Sequence, residues 1–125
     1  MRKTILVDGM FCIYDESFKV NTELLRIVCS FKAQKILVVN GFREKGKKVL
    51  EGNGFEAFSL EEEGIKKNNS LYFQRLFVKY TLKSEQLLYF DHDEKNVETA
   101  GKLGIISLHY STPEKVRTFL EENIS

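Results

Sequence analysis

Tryptophan is absent, proline occurs once (Pro113), and cysteine only twice, at Cys12 and Cys29. A single proline excludes proline-rich recognition segments and stiff linkers. Two cysteines allow one bridge at most, which excludes a disulfide scaffold, and free thiols are expected. An excess of one charge sign is missing too: 19 Lys and Arg stand against 18 Asp and Glu, a net charge of +1. That balance argues against a protein whose main work is gripping nucleic acid or anionic lipid. The longest unbroken apolar run, Met10 to Tyr14, is far too short to span a bilayer. The start, Met1-Arg2-Lys3 before Thr4-Ile5-Leu6-Val7, has the look of a signal peptide. Asp8 interrupts it before an apolar core can form and no small-residue cleavage site follows, so a cytoplasmic protein is expected.

What the chain does have is an ordinary globular composition, with 42% hydrophobic and 30% charged residues, which excludes disorder as the main state. Its 125 residues fit one domain, expected to span 1–125. Thr4–Val7, Ile36–Val39, Leu87–Phe90 and Ile105–Leu108 read as strands covered on both faces, with Glu56–Leu60 a weaker fifth. Helical patterns fall between them, over Leu24–Phe31, Glu44–Glu51, Leu71–Tyr80, Val97–Leu103 and Val116–Glu122. Thr112-Pro113-Glu114 supplies a cap hydroxyl, a proline for the first helical position and an early acid. Gly52, Gly54 and Gly104 follow helix patterns as left-handed caps. A hairpin, Cys12–Tyr14 against Phe18–Val20, is expected after the first strand.

Strands alternating with helices imply a parallel sheet of about five strands in a three-layer α/β, Rossmann-like domain. Active crevices in such sheets lie beyond the carboxyl ends of the strands. Asp8 and Asp91 each stand immediately after a strand run. Two carboxylates placed side by side repel unless a cation separates them, and Mg²⁺, a lysine, or both would serve. Lys67 lies at the start of a helical pattern and Lys66 precedes it, and both are candidate lysines.

In this order the segments resemble the motifs of the haloacid dehalogenase (HAD) superfamily. Thr4-Ile5-Leu6-Val7-Asp8 is similar to its first motif, a strand ending in a nucleophilic aspartate. Lys67-Asn68-Asn69-Ser70, a helix, and Leu87-Leu88-Tyr89-Phe90-Asp91 are similar to its third and fourth. The stretch from Asp91 through Asn96, Ala100 and Gly104 to Ile105 is the most specific piece. The resemblance implies Mg²⁺ and phosphoryl transfer through an aspartyl-phosphate. Asp8 would be the nucleophile and a metal ligand, and Asp91 a second ligand. The Met10 carbonyl would be a third ligand, and Lys67 the neutralising cation.

The departures carry equal weight. The aspartate that serves hydrolytic members as general acid and base is Met10 here. The hydroxyl ending the second motif is replaced at Val39 or Asn40, and the second aspartate of the fourth motif is His92. His92 is a poor ligand for Mg²⁺ and a good one for Zn²⁺ or Ni²⁺. Asn40, His92 and Asn96 are candidate substrate or loop-fixing residues. Cys12 and His109 are expected to be structural, and Phe73, Phe77 and Tyr80 a core stripe. Neither gap, Phe11 to Gln34 or Asn40 to Lys66, has room for a cap domain. Capless relatives take macromolecular substrates or close their sites by oligomerising, so a phosphorylated substrate, a protein partner or a homo-oligomer is expected. Retention of Asp8, Lys67 and Asp91 favours a weak phosphohydrolase or phosphotransferase. Loss of the proton carrier and the hydroxyl favours an inactive binding or regulatory module.

Overall fold

The computed structural model describes residues 2–124; Met1, at the head of the basic start, lies outside them. Five strands form one sheet in the order β3-β2-β1-β4-β5, and every pairing is parallel. They are β1 (Thr4–Asp8), β2 (Gln34–Val38), β3 (Phe55–Phe58), β4 (Leu87–Asp91) and β5 (Ile106–His109). The helices between and after them are α1 (Thr22–Cys29), α2 (Arg43–Val49), α3 (Ser70–Tyr80), α4 (Glu94–Lys102) and α5 (Pro113–Asn123). The five strands and five helices expected for the α/β sheet are present, with shifted bounds.

The pleat divides the apolar residues between two cores. Ile5, Val7, Leu88 and Phe90 point to the side covered by α1 and α5, where Leu24, Ile27, Val116 and Leu120 meet them. Leu6, Ile36 and Tyr89 point to the other side, against Tyr72, Phe73 and Leu76 of α3 and Ala100 of α4. Phe77 and Tyr80 pack partly buried on that second core beside Phe73. Burying about a dozen large side chains on each side of a sheet, at roughly 1.5–3 kcal/mol apiece, is what offsets the entropy of ordering the chain. Caps fix the helix starts: Asn21, Asn69, Asp93 and Thr112 each accept a backbone N–H from the first turn. Pro113 takes the first helical position of α5, as expected.

Two expectations need correction. Ile105–Leu108 was to be covered on both faces, but β5 is the sheet's edge and its residues Ile106–His109 are half-buried or exposed. The hairpin after β1 shrinks to a single antiparallel bridge, Tyr14 to Val20. Residues 9–14 are instead consumed in a tight turn, in which Phe11 N–H donates to the Tyr14 carbonyl, and Cys12 and Tyr14 N–H to that of Gly9. Asp15 then ties the return, its carboxylate accepting from the amides of Ser17 and Lys19.

Candidate functional site

The central strands β1 and β4 are neighbours, so their last residues, Asp8 and Asp91, stand side by side at the carboxyl end of the sheet. Both are almost wholly buried, as is Lys67, which comes up from the loop before α3. Its ammonium donates to Asp8 Oδ1 at 2.5 Å, to Asp91 Oδ2 at 2.7 Å and to the Val38 carbonyl at 3.3 Å. Asn40 holds the lysine's loop, since its side-chain oxygen accepts the Lys67 backbone N–H at 2.8 Å.

The remaining carboxylate oxygens are occupied as well. Asp8 Oδ2 accepts from the His92 backbone N–H at 3.2 Å and lies 2.6 Å from His92 Nδ1. The same ring nitrogen is 3.3 Å from Asp91 Oδ1, which also accepts the Asp93 N–H at 2.8 Å. Asp91 Oδ2 accepts from the Tyr89 hydroxyl and, at 3.3 Å, from Asn96. His109, expected to be structural, steadies this loop, its Nε2 lying 2.9 Å from the His92 carbonyl oxygen.

These contacts set the electrostatics. Burial pushes the Asp8 carboxyl up, but the Lys67 charge and hydrogen bonds from His92, Lys67 and Cys12 outweigh it and hold Asp8 at about 2. Asp91 goes the other way: burial and the neighbouring Asp8 charge raise it, and Lys67 and Tyr89 offset only part. Burial pulls Lys67 down, yet two flanking carboxylates leave it above its ordinary value. The His92 imidazole is raised by its hydrogen bond to Asp8, against partial burial. Like charges in one pocket split in this way, leaving the better-paired group ionised.

The opposite wall is apolar. Met10, Phe11, Tyr14, Val39 and Phe42 line the same cavity of about 310 Å³ as Asp8, Lys67 and His92. Val39 offers no hydroxyl and Met10 no proton. Gly9 is required where β1 turns away, because a Cβ there would lie 2.5 Å from Val39 Cγ1 and 2.6 Å from the Tyr14 hydroxyl. Cys12 is buried, and its thiol, pushed far up by burial and by the Asp8 charge, is unfit as a nucleophile. Both cysteines are free. A larger cavity, about 570 Å³, opens at the amino end of β3, away from the paired carboxylates, among exposed Lys47, Lys48 and Glu51.

The structure thus brings together Asp8, Met10, Asn40, Lys67, Asp91, His92 and Asn96. Sequence reasoning missed Tyr89, although strand alternation places it on the same face as Asp91, two residues on. It also missed Phe42, for which the sequence carries no signal; Cys12, expected to be structural, does lie beside Asp8 and His92.

No family model matches the chain, and no curated protein does. Solved structures do. An uncharacterized protein from Corynebacterium glutamicum superposes with a TM-score of 0.75 at 18% identity, over 97% of this chain and 94% of that one. The core domain of a provisionally named phosphoglycolate phosphatase from Streptococcus pneumoniae gives 0.66 at 17%, over 97% and 96%. A provisionally named HAD family hydrolase from Streptomyces avermitilis gives 0.59 at 10%, over 94% and 72%. At these identities the likeness is one of fold, and the fold is HAD-like. No helix among the described residues is long and apolar enough to cross a membrane.

Proposed function

We propose that the cleft is a divergent phosphoryl-transfer centre in which Asp8 is the nucleophile, acting on phosphate monoesters with weak turnover. The observation that carries this reading is the buried lysine bridge, 2.5 Å to Asp8 and 2.7 Å to Asp91. A lysine so held keeps the nucleophile ionised and offsets charge at the phosphoryl group. An Asp8 oxygen would attack phosphorus as the ester P–O bond breaks, the leaving oxygen departing as the anion and taking its proton from solvent. Water would later attack the aspartyl-phosphate to release phosphate and restore the Asp8 carboxylate. Met10 supplies no proton to the leaving oxygen, and positioned acid–base catalysis contributes about 10²- to 10⁴-fold. Slow turnover follows.

The oxygen donors suit Mg²⁺, a hard cation. Asp8, Asp91 and the Met10 carbonyl would hold it, and it would supply further charge neutralisation. The His92 ring nitrogen lies against both carboxylates, at 2.6 and 3.3 Å, so a metal must displace it. That side chain is 38% exposed, so its displacement would carry the ring toward solvent. Ligand atoms of Asp8, Cys12 and His92 lie within 4.8 Å of one another, a set better matched to Zn²⁺.

The alternative is a non-catalytic binding module. It is favoured by the protein donors that already meet every oxygen of Asp8 and Asp91. An activated aryl phosphate assay separates the two readings. Asp8→Asn should abolish turnover while Cys12→Ser retains it. Loss in Cys12→Ser with retention in Asp8→Ala would overturn the assignment, and no turnover with any divalent metal would leave the binding module.

A further inference from the structure

Three phenylalanines near this cavity adopt left-handed backbone conformations: Phe11 (φ 72°), Phe18 (φ 62°) and Phe42 (φ 58°). For a bulky residue this is an outlier, costing about 1–3 kcal/mol, and such residues persist only where surrounding contacts over-determine them. Here the surroundings do. Phe11 N–H donates to the Tyr14 carbonyl, and Phe42 N–H to the Glu61 carboxylate at 2.9 Å.

Burial does not explain the two rings that line the cavity. Phe11 is 54% and Phe42 64% exposed, the largest apolar surfaces near the site. Each is nonetheless backed by another ring. Phe11 meets His92 edge-on at 5.2 Å, and Phe42 meets Phe18 at 6.1 Å. Phe18 in turn stacks on buried Tyr14 at 5.0 Å, with the Lys45 ammonium 4.4 Å from its ring. The chain therefore braces two apolar rings in strained positions, at the opening of a cavity whose floor is Asp8, Lys67 and His92.

We propose that Phe11 and Phe42 form an aromatic clamp that selects phosphate monoesters whose leaving group is a single aromatic ring. The claim rests on the phosphoryl-transfer reading and adds the substrate class. The polar floor takes the phosphoryl end, and the exposed rings take a flat apolar partner by stacking or edge contact. A volume of about 310 Å³ is at the small end for ligand pockets, which favours one ring over a fused base with its sugar.

Binding of non-reacting analogues to the intact protein tests the clamp without leaving-group effects. The probes are inorganic phosphate, methylphosphonate, benzylphosphonate and cyclohexylmethylphosphonate, titrated by calorimetry or by amide shifts in NMR spectra. Benzylphosphonate should bind at least about 10-fold more tightly than methylphosphonate, and several-fold more tightly than the alicyclic analogue. Phe42→Ala and Phe11→Leu should each bring the ratio of benzylphosphonate to methylphosphonate affinity down toward one, with inorganic phosphate titrated on the same variants as the reference. Both rings are exposed, and circular dichroism would confirm that the variants fold. Equal binding of benzyl- and methylphosphonate, equal binding of the two ring analogues, or no effect of either substitution would overturn the clamp alone. If phosphate and all three phosphonates fail to bind, with or without Mg²⁺, the phosphoryl-transfer reading falls and the clamp falls with it.

Discussion

The two walls of the cleft obey different rules. On one, Asp8, Lys67, Tyr89, Asp91 and Asn96 are buried and mutually hydrogen-bonded, and among the described residues no buried side-chain polar atom lacks a partner. On the other, Met10, Phe11, Val39 and Phe42 offer apolar surface, two of them on strained backbone. The charged wall is held by necessity, since a buried charge without a partner costs several kcal/mol. The apolar wall is under no such constraint and is free to diverge. On the proposed phosphoryl-transfer reading, the charged wall supplies the groups that handle charge, while Met10 and Val39 on the apolar wall supply neither a proton nor a hydroxyl.

The sharpest way to break this comparison is to remove the cation of the charged wall. Lys67→Met strands two buried carboxylates, and we expect a loss of about 3–5 kcal/mol in urea unfolding at neutral pH. Adding Asp91→Asn should recover part of it, because one uncompensated charge disappears. A single-variant loss below about 1 kcal/mol would mean that water already screens the pair.

Next in size is the proton carrier that the apolar wall lacks. Met10→Asp should raise turnover of an activated phosphate ester by about 10- to 100-fold, or roughly 1.4 to 2.7 kcal/mol of barrier. Melting temperature and Mg²⁺ affinity should be followed alongside. A folded, Mg²⁺-binding variant with no gain points to the missing hydroxyl near Val39, and to the binding module.

His92 lies between the walls and yields two smaller effects. With its ring nitrogen against Asp8 and Asp91, His92→Ala should tighten Mg²⁺ binding several-fold in calorimetry, and unchanged affinity would show that the ring does not compete. The imidazole is raised above its ordinary 6.5 by its bond to Asp8. A raised group contributes stability that is complete below 6.5 and is lost as pH rises through the folded value. Thermal stability without metal should therefore decline as pH rises from 6.5 through the raised folded-state value, and the decline should flatten in His92→Ala.

Legibility in the sequence follows the same division. Buried parallel strands need continuous apolar runs, so β1 and β4 stand out by pattern and point to Asp8 and Asp91 at their ends, whereas Lys67 is singled out from Lys66 only by the order of motifs it shares with the HAD superfamily. Helix boundaries were equally readable at Thr112-Pro113, where cap and proline act locally. The turn over residues 9–14 was not, because its bonds depend on Tyr14 fitting against Gly9 and Val39, a tertiary matter. Phe42 was invisible for the same reason. Nothing in Asn40-Gly41-Phe42-Arg43 announces that Glu61, nineteen positions on, will hold its amide.

The smallest expected effect bears most directly on whether the apolar wall is kept for function. Phe42 sits at φ 58°, ψ 39°, ahead of α2, with its side chain mostly in solvent. A left-handed conformation costs an ordinary residue about 1–2 kcal/mol, and asparagine tolerates it far better. Phe42→Asn relieves that cost but gives up the edge contact with Phe18, worth about 0.5–1.5 kcal/mol. The two nearly cancel, so unfolding should show a change between about 0.5 kcal/mol of destabilisation and about 1.5 kcal/mol of stabilisation. The same variant should lose its preference for benzylphosphonate. Neutral or improved stability with impaired binding is the signature of a residue retained against the interest of the fold. Tyr89→Phe, on the charged wall, should do the reverse, costing about 1–3 kcal/mol by taking a donor from buried Asp91. If Phe42→Asn instead destabilises by more than 1 kcal/mol, as Tyr89→Phe is expected to do, the ring is ordinary packing and the two walls are alike.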